Sequence, residues 1–151
     1  MNIDIRILDP RIHEWGVPAP ATSGAAGVDL FACLPSTLVM EPGHEFVIST
    51  GIAIHIGHET SPLAAGLLIP RSGLGRKGLV LGNLVGLIDA DYQGEIKIAA
   101  WNRSCSNVIT IQPGDRIAQL VIIPVIRPHF RVVKGFDPST RGTGGFGSTG
   151  V

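Results

Sequence analysis

The chain has 151 residues, with 20 glycines, 11 prolines and 12 basic against 12 acidic residues, for a formal net charge of zero. That length fits one domain with a real core, and a pI of about 7.0 excludes a basic protein built to hold nucleic acid. Cys33 and Cys105 have no CxxC or finger spacing, which argues against a disulfide framework and a structural zinc site and leaves a reduced, cytoplasmic setting as the expectation.

The N-terminal "MNIDIRILDP" has no basic region followed by an apolar run, and no stretch reaches membrane-spanning length, so neither a processed leader nor a membrane partner is expected. Alternation over Ile3, Ile5 and Ile7 predicts a half-buried strand, as it does over Ile52, Ile54 and Ile56. Pro42-Gly43 and Pro113-Gly114 have the residue order of a type II turn, proline fixing φ and glycine supplying positive φ. Both turns precede apolar runs and hint at two similar halves. At most one short helix is expected, within 72 to 78, because glycine and proline interrupt every longer window. Gly82-Asn83 and Gly86 suit a tight hairpin. Ile96, Ile98 and Ala100 alternate with Glu95 and Lys97, which point the other way. Many short strands with frequent turns predict an all-β sandwich, jelly roll or barrel. Composition changes only near the end, giving a core of residues 1–134 and an arm of residues 135–151.

Two glycine fingerprints, "GLGRKG" and "GTGGFG", match G-x-G-x-x-G, yet the first precedes a strand-like run and the second the chain end. Neither sits in the βαβ unit that a dinucleotide site needs. His55 and His58 are three apart, which in a strand puts them on opposite faces, so a protein-held metal is not expected. Ser72 lies in "PRSGLG", not in a nucleophile elbow.

A different pattern carries chemistry. "AGVDL", "PRSGL", "GLIDADYQG" and "GDRIAQL" each put an acid, an arginine or an amide beside glycine at what reads as a strand end. The tail "RGTGGFGSTG" adds backbone donors, hydroxyls, Arg141 and the aromatic Phe146. By residue type this suits a polyphosphate: Arg71, Arg116 and Arg141 for charge, Ser72, Gln119, Ser148 and Thr149 as donors, and Asp29, Asp89 and Asp91 for a magnesium shell or a water.

The five stretches, in this order and spacing, resemble the five motifs of the homotrimeric dUTPases, most closely the bacterial ones. The resemblance implies a jelly-roll-like β-barrel of the dUTPase-like β-clip kind, assembled as a homotrimer with active sites at subunit interfaces. It implies hydrolysis of dUTP to dUMP and pyrophosphate, with Asp89 activating a water for in-line attack on the α-phosphorus. Mg²⁺ would be held mainly by the phosphates, with Asp29 reaching it through water. Arg71, Ser72, Gly73 and Gln119 would hold the phosphate chain, Arg116 having a more structural role. Asn83 and the backbone to Leu87 would pair with uracil, and Tyr92 would pack under the sugar and leave no room for a 2′-hydroxyl. The arm would close as a lid, Phe146 over the base and Arg141, Gly147, Ser148 and Thr149 at the phosphates. Two rivals differ in chemistry. A dCTP deaminase shares the fold but needs a glutamate base where this chain has "DADY", and a non-catalytic β module leaves the acids and the arm unexplained.

Overall fold

The computed structural model describes residues 1–57 and 62–144. Within them the chain runs β1 (Asp4–Ile7), α1 (Ile12–Trp15), β2 (Val28–Phe31), β3 (Leu38–Met40), β4 (Glu45–His55), β5 (Ala64–Pro70), α2 (Ser72–Lys77), β6 (Leu79–Leu81), β7 (Gly86–Ile88), β8 (Glu95–Asn102), β9 (Ile109–Ile111) and β10 (Arg116–Pro124). Two four-stranded sheets, ordered β1-β4-β8-β6 and β2-β10-β5-β7, carry the fold with a two-stranded β3-β9 sheet beside them. The pairings are antiparallel. This is the expected jelly-roll architecture.

Apolar side chains from both large sheets make one core. Ile48, Ile52, Ile54, Ile96, Ile98 and Ala100 come from β4 and β8, and Leu30, Leu68, Ala118 and Leu120 from the facing sheet. Each fully buried Ile or Leu contributes about 1.5–3 kcal/mol, and the strands alternate because one face meets this core. Both predicted Pro-Gly turns form. Gly43 has φ +79° and Gly114 +84°, closed by His44 N–H to Glu41 O and Asp115 N–H to Gln112 O, both at 3.1 Å. The strands before them, β3 and β9, pair with each other.

Three expectations need correction. Ile5 is 39% exposed, because β1 is an edge strand paired only with β4. A second short helix, α1, forms ahead of α2 after a turn in which Asp9 Oδ1 accepts Arg11 N–H at 2.9 Å. Gly16, at φ +102°, ends it. Nor is there a hairpin at 82 to 86: β6 pairs with β8, and β7 with β5 in the other sheet, so the turn crosses between sheets. Gly86 permits that crossing, since a Cβ there would stand 2.9 Å from the Leu68 side chain.

Two polar clusters pin the barrel. Arg11 holds Asp9 through Nε and Nη2 at 3.0 and 2.8 Å, donates to Leu34 O, and lies 5.3 Å over the Trp15 ring. Arg11 keeps the Asp9 carboxyl well below the usual range, while burial, reinforced by Asp9, pushes the Cys33 thiol up to about 11. Asn102 is wholly buried; its Nδ2 donates to Met40 O at 2.9 Å and Asn107 O at 2.8 Å, and Oδ1 accepts Ser104 N–H at 3.1 Å. Asn102→Ala removes three partners at once and is expected to lower stability by about 3 kcal/mol. Urea unfolding should show a lower midpoint at unchanged slope.

Candidate active site

The sheet β2-β10-β5-β7 positions the polar residues. Asp29 on β2 stands opposite Gln119 on β10, and Gln119 stands opposite Ile69 on β5, so Asp29 and Gln119 share a face. β5 ends at Pro70 and delivers Arg71 to the same edge. Arg71 Nε lies 2.9 Å from Asp29 Oδ1, close enough for an ion pair but not aligned as a hydrogen bond. Arg116 Nη1 donates to Asp29 Oδ2 at 3.3 Å, and Arg71 Nη1 to Arg116 O at 3.1 Å. Asp29 is thus a brace between two arginines, its side chain 15% exposed and its Oδ1 buried against Arg71 without an aligned hydrogen bond.

Beside this brace is an open pocket of about 310 Å³ lined by Arg71, Ser72, Gly73, Leu74, Lys77 and Gln119. Gly73 has nothing within 4 Å of where a Cβ would be, so the space above its backbone is open. Lys77, which the motif pattern did not single out, follows Gly73 by four residues on α2 and shares its face. It has no ion pair among the described residues.

A second pocket, of about 270 Å³, is lined by Leu87, Asp89, Tyr92, Glu95 and Lys97 with Ile88 and Ile96. Tyr92 N–H donates to Asp89 O at 3.1 Å, forming a turn that presents the Asp89 carboxylate to solvent. The Tyr92 hydroxyl donates to Glu95 O at 3.1 Å, and a Cβ at Gly94 would overlap that hydroxyl. The Asp89 carboxylate makes no side-chain hydrogen bond among the described residues, whereas both Glu95 oxygens accept one, from Gly51 N–H and the Ser49 hydroxyl. Of the two acids here, Asp89 is the one whose carboxylate no described residue engages.

The crossing turn before β7 is strained. Leu84 is the one non-glycine with positive φ among the described residues, at +64°, in a three-residue turn closed by Val85 N–H to Asn83 O at 2.7 Å. Leu84, Val85 and Leu87 stay exposed at 72, 50 and 62%. Asn83 is exposed beside them. The segment presents an apolar edge at the surface.

The two pockets lie at opposite ends of β5. Gly66 pairs with Ile88, which sets Asp89 level with Ala65, while Arg71 is six residues further along. At about 3.3 Å per residue the separation is about 20 Å. One chain therefore brings Asp29, Arg71, Ser72, Gly73 and Gln119 together, and separately Leu87, Asp89 and Tyr92, but does not join the two groups. Arg141 lies in the exposed C-terminal segment, its Nε donating to Gly144 O at 3.2 Å. Phe146, Gly147, Ser148 and Thr149 lie outside the described residues, as does His58. A further groove, about 320 Å³ among Ile5, Val17, Pro18, Leu120 and Ile122, is apolar and holds no such chemistry. No group of three or more His, Cys, Asp or Glu able to hold a metal occurs among the described residues.

Residues 13–150 match the family dUTPase. The chain is 56% identical over 150 residues to a deoxyuridine 5′-triphosphate nucleotidohydrolase of Methylibium petroleiphilum, covering 99% of this chain and 97% of the relative. Among solved structures it resembles the dUTPase of Staphylococcus bacteriophage 80alpha with dUPNHPP, at TM-score 0.84 and 30% identity over 99% of both chains. It also resembles a mutant dUTPase of phage phi11 of S. aureus described with a structural Mg(II) ion, at TM-score 0.77 and 27% identity, over 91% of this chain and all of that one.

Proposed function

The chain belongs to the dUTPase family, and from that premise we propose that it hydrolyses dUTP to dUMP and pyrophosphate by magnesium-assisted attack of water on the α-phosphorus. What carries this is the division of the polar residues: a cationic pocket with an amide and open glycine backbone, and apart from it a pocket pairing a free carboxylate with an aromatic ring. The first suits a triphosphate. The second suits a nucleoside with a water to be activated beside it.

Arg71, Ser72, Gly73 and Gln119 bind the phosphate chain. Asp89 orients the water and takes its proton; a carboxylate does this without forming a covalent phosphoryl bond. Tyr92 packs under the sugar, and Asn83 with the backbone to Leu87 reads the uracil edge. Mismatched donors and acceptors at that edge reject cytosine by up to about 10⁴-fold.

These residues fit a magnesium ion held mainly by substrate oxygens. The protein lacks a multidentate cage among the described residues, and the Asp29 carboxylate, whose Oδ1 is buried without a hydrogen-bond partner, is the group that would turn to a metal-bound water. The ion, when bound, spreads the phosphate charge. Arg71 and Arg116 hold the Asp29 carboxylate in place for that contact.

A separation of about 20 Å supports a site in which Asp89 of one copy acts on a phosphate held by Arg71 of another. This supports a homotrimer with shared interface sites. Phe130, Val132 and Phe136, beyond β10, are 90, 99 and 94% exposed, as expected of a segment that meets a second copy. Residues 135–151 are the arm that closes over bound substrate, carrying Arg141, Phe146, Gly147, Ser148 and Thr149 to it. No helix of the described residues is long and apolar enough to cross a membrane, and a cytoplasmic place suits a role in keeping uracil out of DNA and supplying dUMP for dTTP synthesis.

The test is pyrophosphate release with Mg²⁺ from dUTP, UTP, dTTP and dCTP. Fast release from dUTP alone is the expected result. Equal release from all four, or deamination of dCTP, would overturn the assignment.

A further inference from the structure

The side chain of Glu95, which has no substrate role in the proposed reaction, joins the nucleoside pocket to a bulge in β4. β4 and β8 pair at Ser49 with Lys97 and again at Ala53 with Glu95, so three residues of β4 face the single residue Ile96. That bulge is closely packed and hydrogen-bonded on both sides. Gly51 at its centre has φ +71°, and a Cβ there would stand 3.0 to 3.2 Å from Cys33 Sγ, Asp9 Cβ and Ile12 Cγ1. Its carbonyl accepts Leu8 N–H at 2.8 Å and Asp9 N–H at 3.2 Å. From the other side Glu95 accepts Gly51 N–H at 3.2 Å through Oε1 and the Ser49 hydroxyl at 3.3 Å through Oε2. The Glu95 carbonyl, on the same residue, receives the Tyr92 hydroxyl at 3.1 Å.

We infer that Glu95 is a positioning residue for the sugar subsite: its carboxylate fixes the start of β8 to the β4 bulge, and its carbonyl then holds the Tyr92 ring where a 2′-hydroxyl would collide. The inference rests on the proposed role of Tyr92. Glu95 acts through an acceptor geometry, not through its charge. Glutamine keeps that geometry, because its carbonyl oxygen can accept Gly51 N–H while its amide donates to the Ser49 oxygen. Alanine leaves the Gly51 N–H without its partner and lets the Tyr92 anchor drift.

The experiment is kcat/KM for dUTP and UTP in wild type, Glu95→Ala, Glu95→Gln, Tyr92→Phe and the Glu95→Ala/Tyr92→Phe double variant, with Tyr92→Ala as reference. Glu95→Ala should lower the preference for dUTP over UTP by about tenfold, mainly by raising UTP turnover, and Glu95→Gln should restore it. Tyr92→Phe should give a similar loss, and the double variant no further one. Should Glu95→Ala fold poorly, Ser49→Ala removes one of the two anchors and should give about a threefold loss. Unchanged selectivity in Glu95→Ala while Tyr92→Ala loses it, or additive losses in the double variant, would overturn the inference alone. Unchanged selectivity in Tyr92→Ala would overturn the sugar role of Tyr92 and the inference with it.

Discussion

Asp89→Asn is expected to reduce dUTP turnover by about 10³-fold while changing KM by less than about threefold. Asparagine matches aspartate in shape, and the turn that presents it is held by Tyr92 N–H on the Asp89 main chain, which the substitution leaves alone. Only the capacity to accept a proton is lost. The Asp89 side chain is exposed and makes no side-chain hydrogen bond among the described residues, so the melting temperature should stay within about 2 °C. Steady-state kinetics beside a thermal melt reads both quantities. A variant with wild-type turnover would remove Asp89 from the chemistry and leave the second pocket without a base.

Two inactive variants mixed together should recover activity. Arg71→Ala takes the central cation from the phosphate pocket and leaves Asp29 paired only with Arg116. Asp89→Asn takes the proposed base. If a working site combines the Asp89 pocket of one copy with the Arg71 pocket of another, random reassembly of equal amounts gives an intact pair in about one site in four. Co-refolded mixtures should therefore reach about a quarter of wild-type activity from two preparations near zero. Recovery should fail when both substitutions are placed in one chain and mixed with either single variant. No recovery in the simple mixture would mean that the two pockets serve one chain after all, against the register of β5 with β7.

Much of the barrel was legible because its signals are local. Ile96, Ile98 and Ala100 alternate in sequence and are buried in β8, and each Pro-Gly pair makes its turn with glycine at positive φ. α2 also falls where the single helix was expected. What failed depends on partners distant in sequence. "GNLVG" is compatible with a hairpin, yet β7 is drawn to β5 by the close approach of Gly86 to Leu68. Ile5 alternates like a core residue but lies on an edge strand. α1 did carry a local signal, an Asp-Pro start and a glycine stop, too short to show helical periodicity.

The candidate site was grouped by residue type and order in the sequence, and its placement comes from the structure. Asp29, Arg71, Ser72, Gly73 and Gln119 lie together, and Leu87, Asp89 and Tyr92 lie together apart from them. Strand register alone reveals that the two groups are a strand length apart. Lys77 had a signal in its spacing from Gly73 once α2 was expected. Glu95 had none, since it reads as the solvated face of β8 while its carboxylate turns into the β4 bulge.

The central claim is that water attacks the α-phosphorus, and the most direct measurement is dUTP hydrolysis in ¹⁸O-water with mass analysis of both products. One ¹⁸O in dUMP and none in pyrophosphate is the predicted result. Label in pyrophosphate would place the attack on the β-phosphorus, and release of inorganic phosphate with dUDP would place it on the γ-phosphorus. Either would contradict the assignment of Asp89 as the base beside the nucleoside.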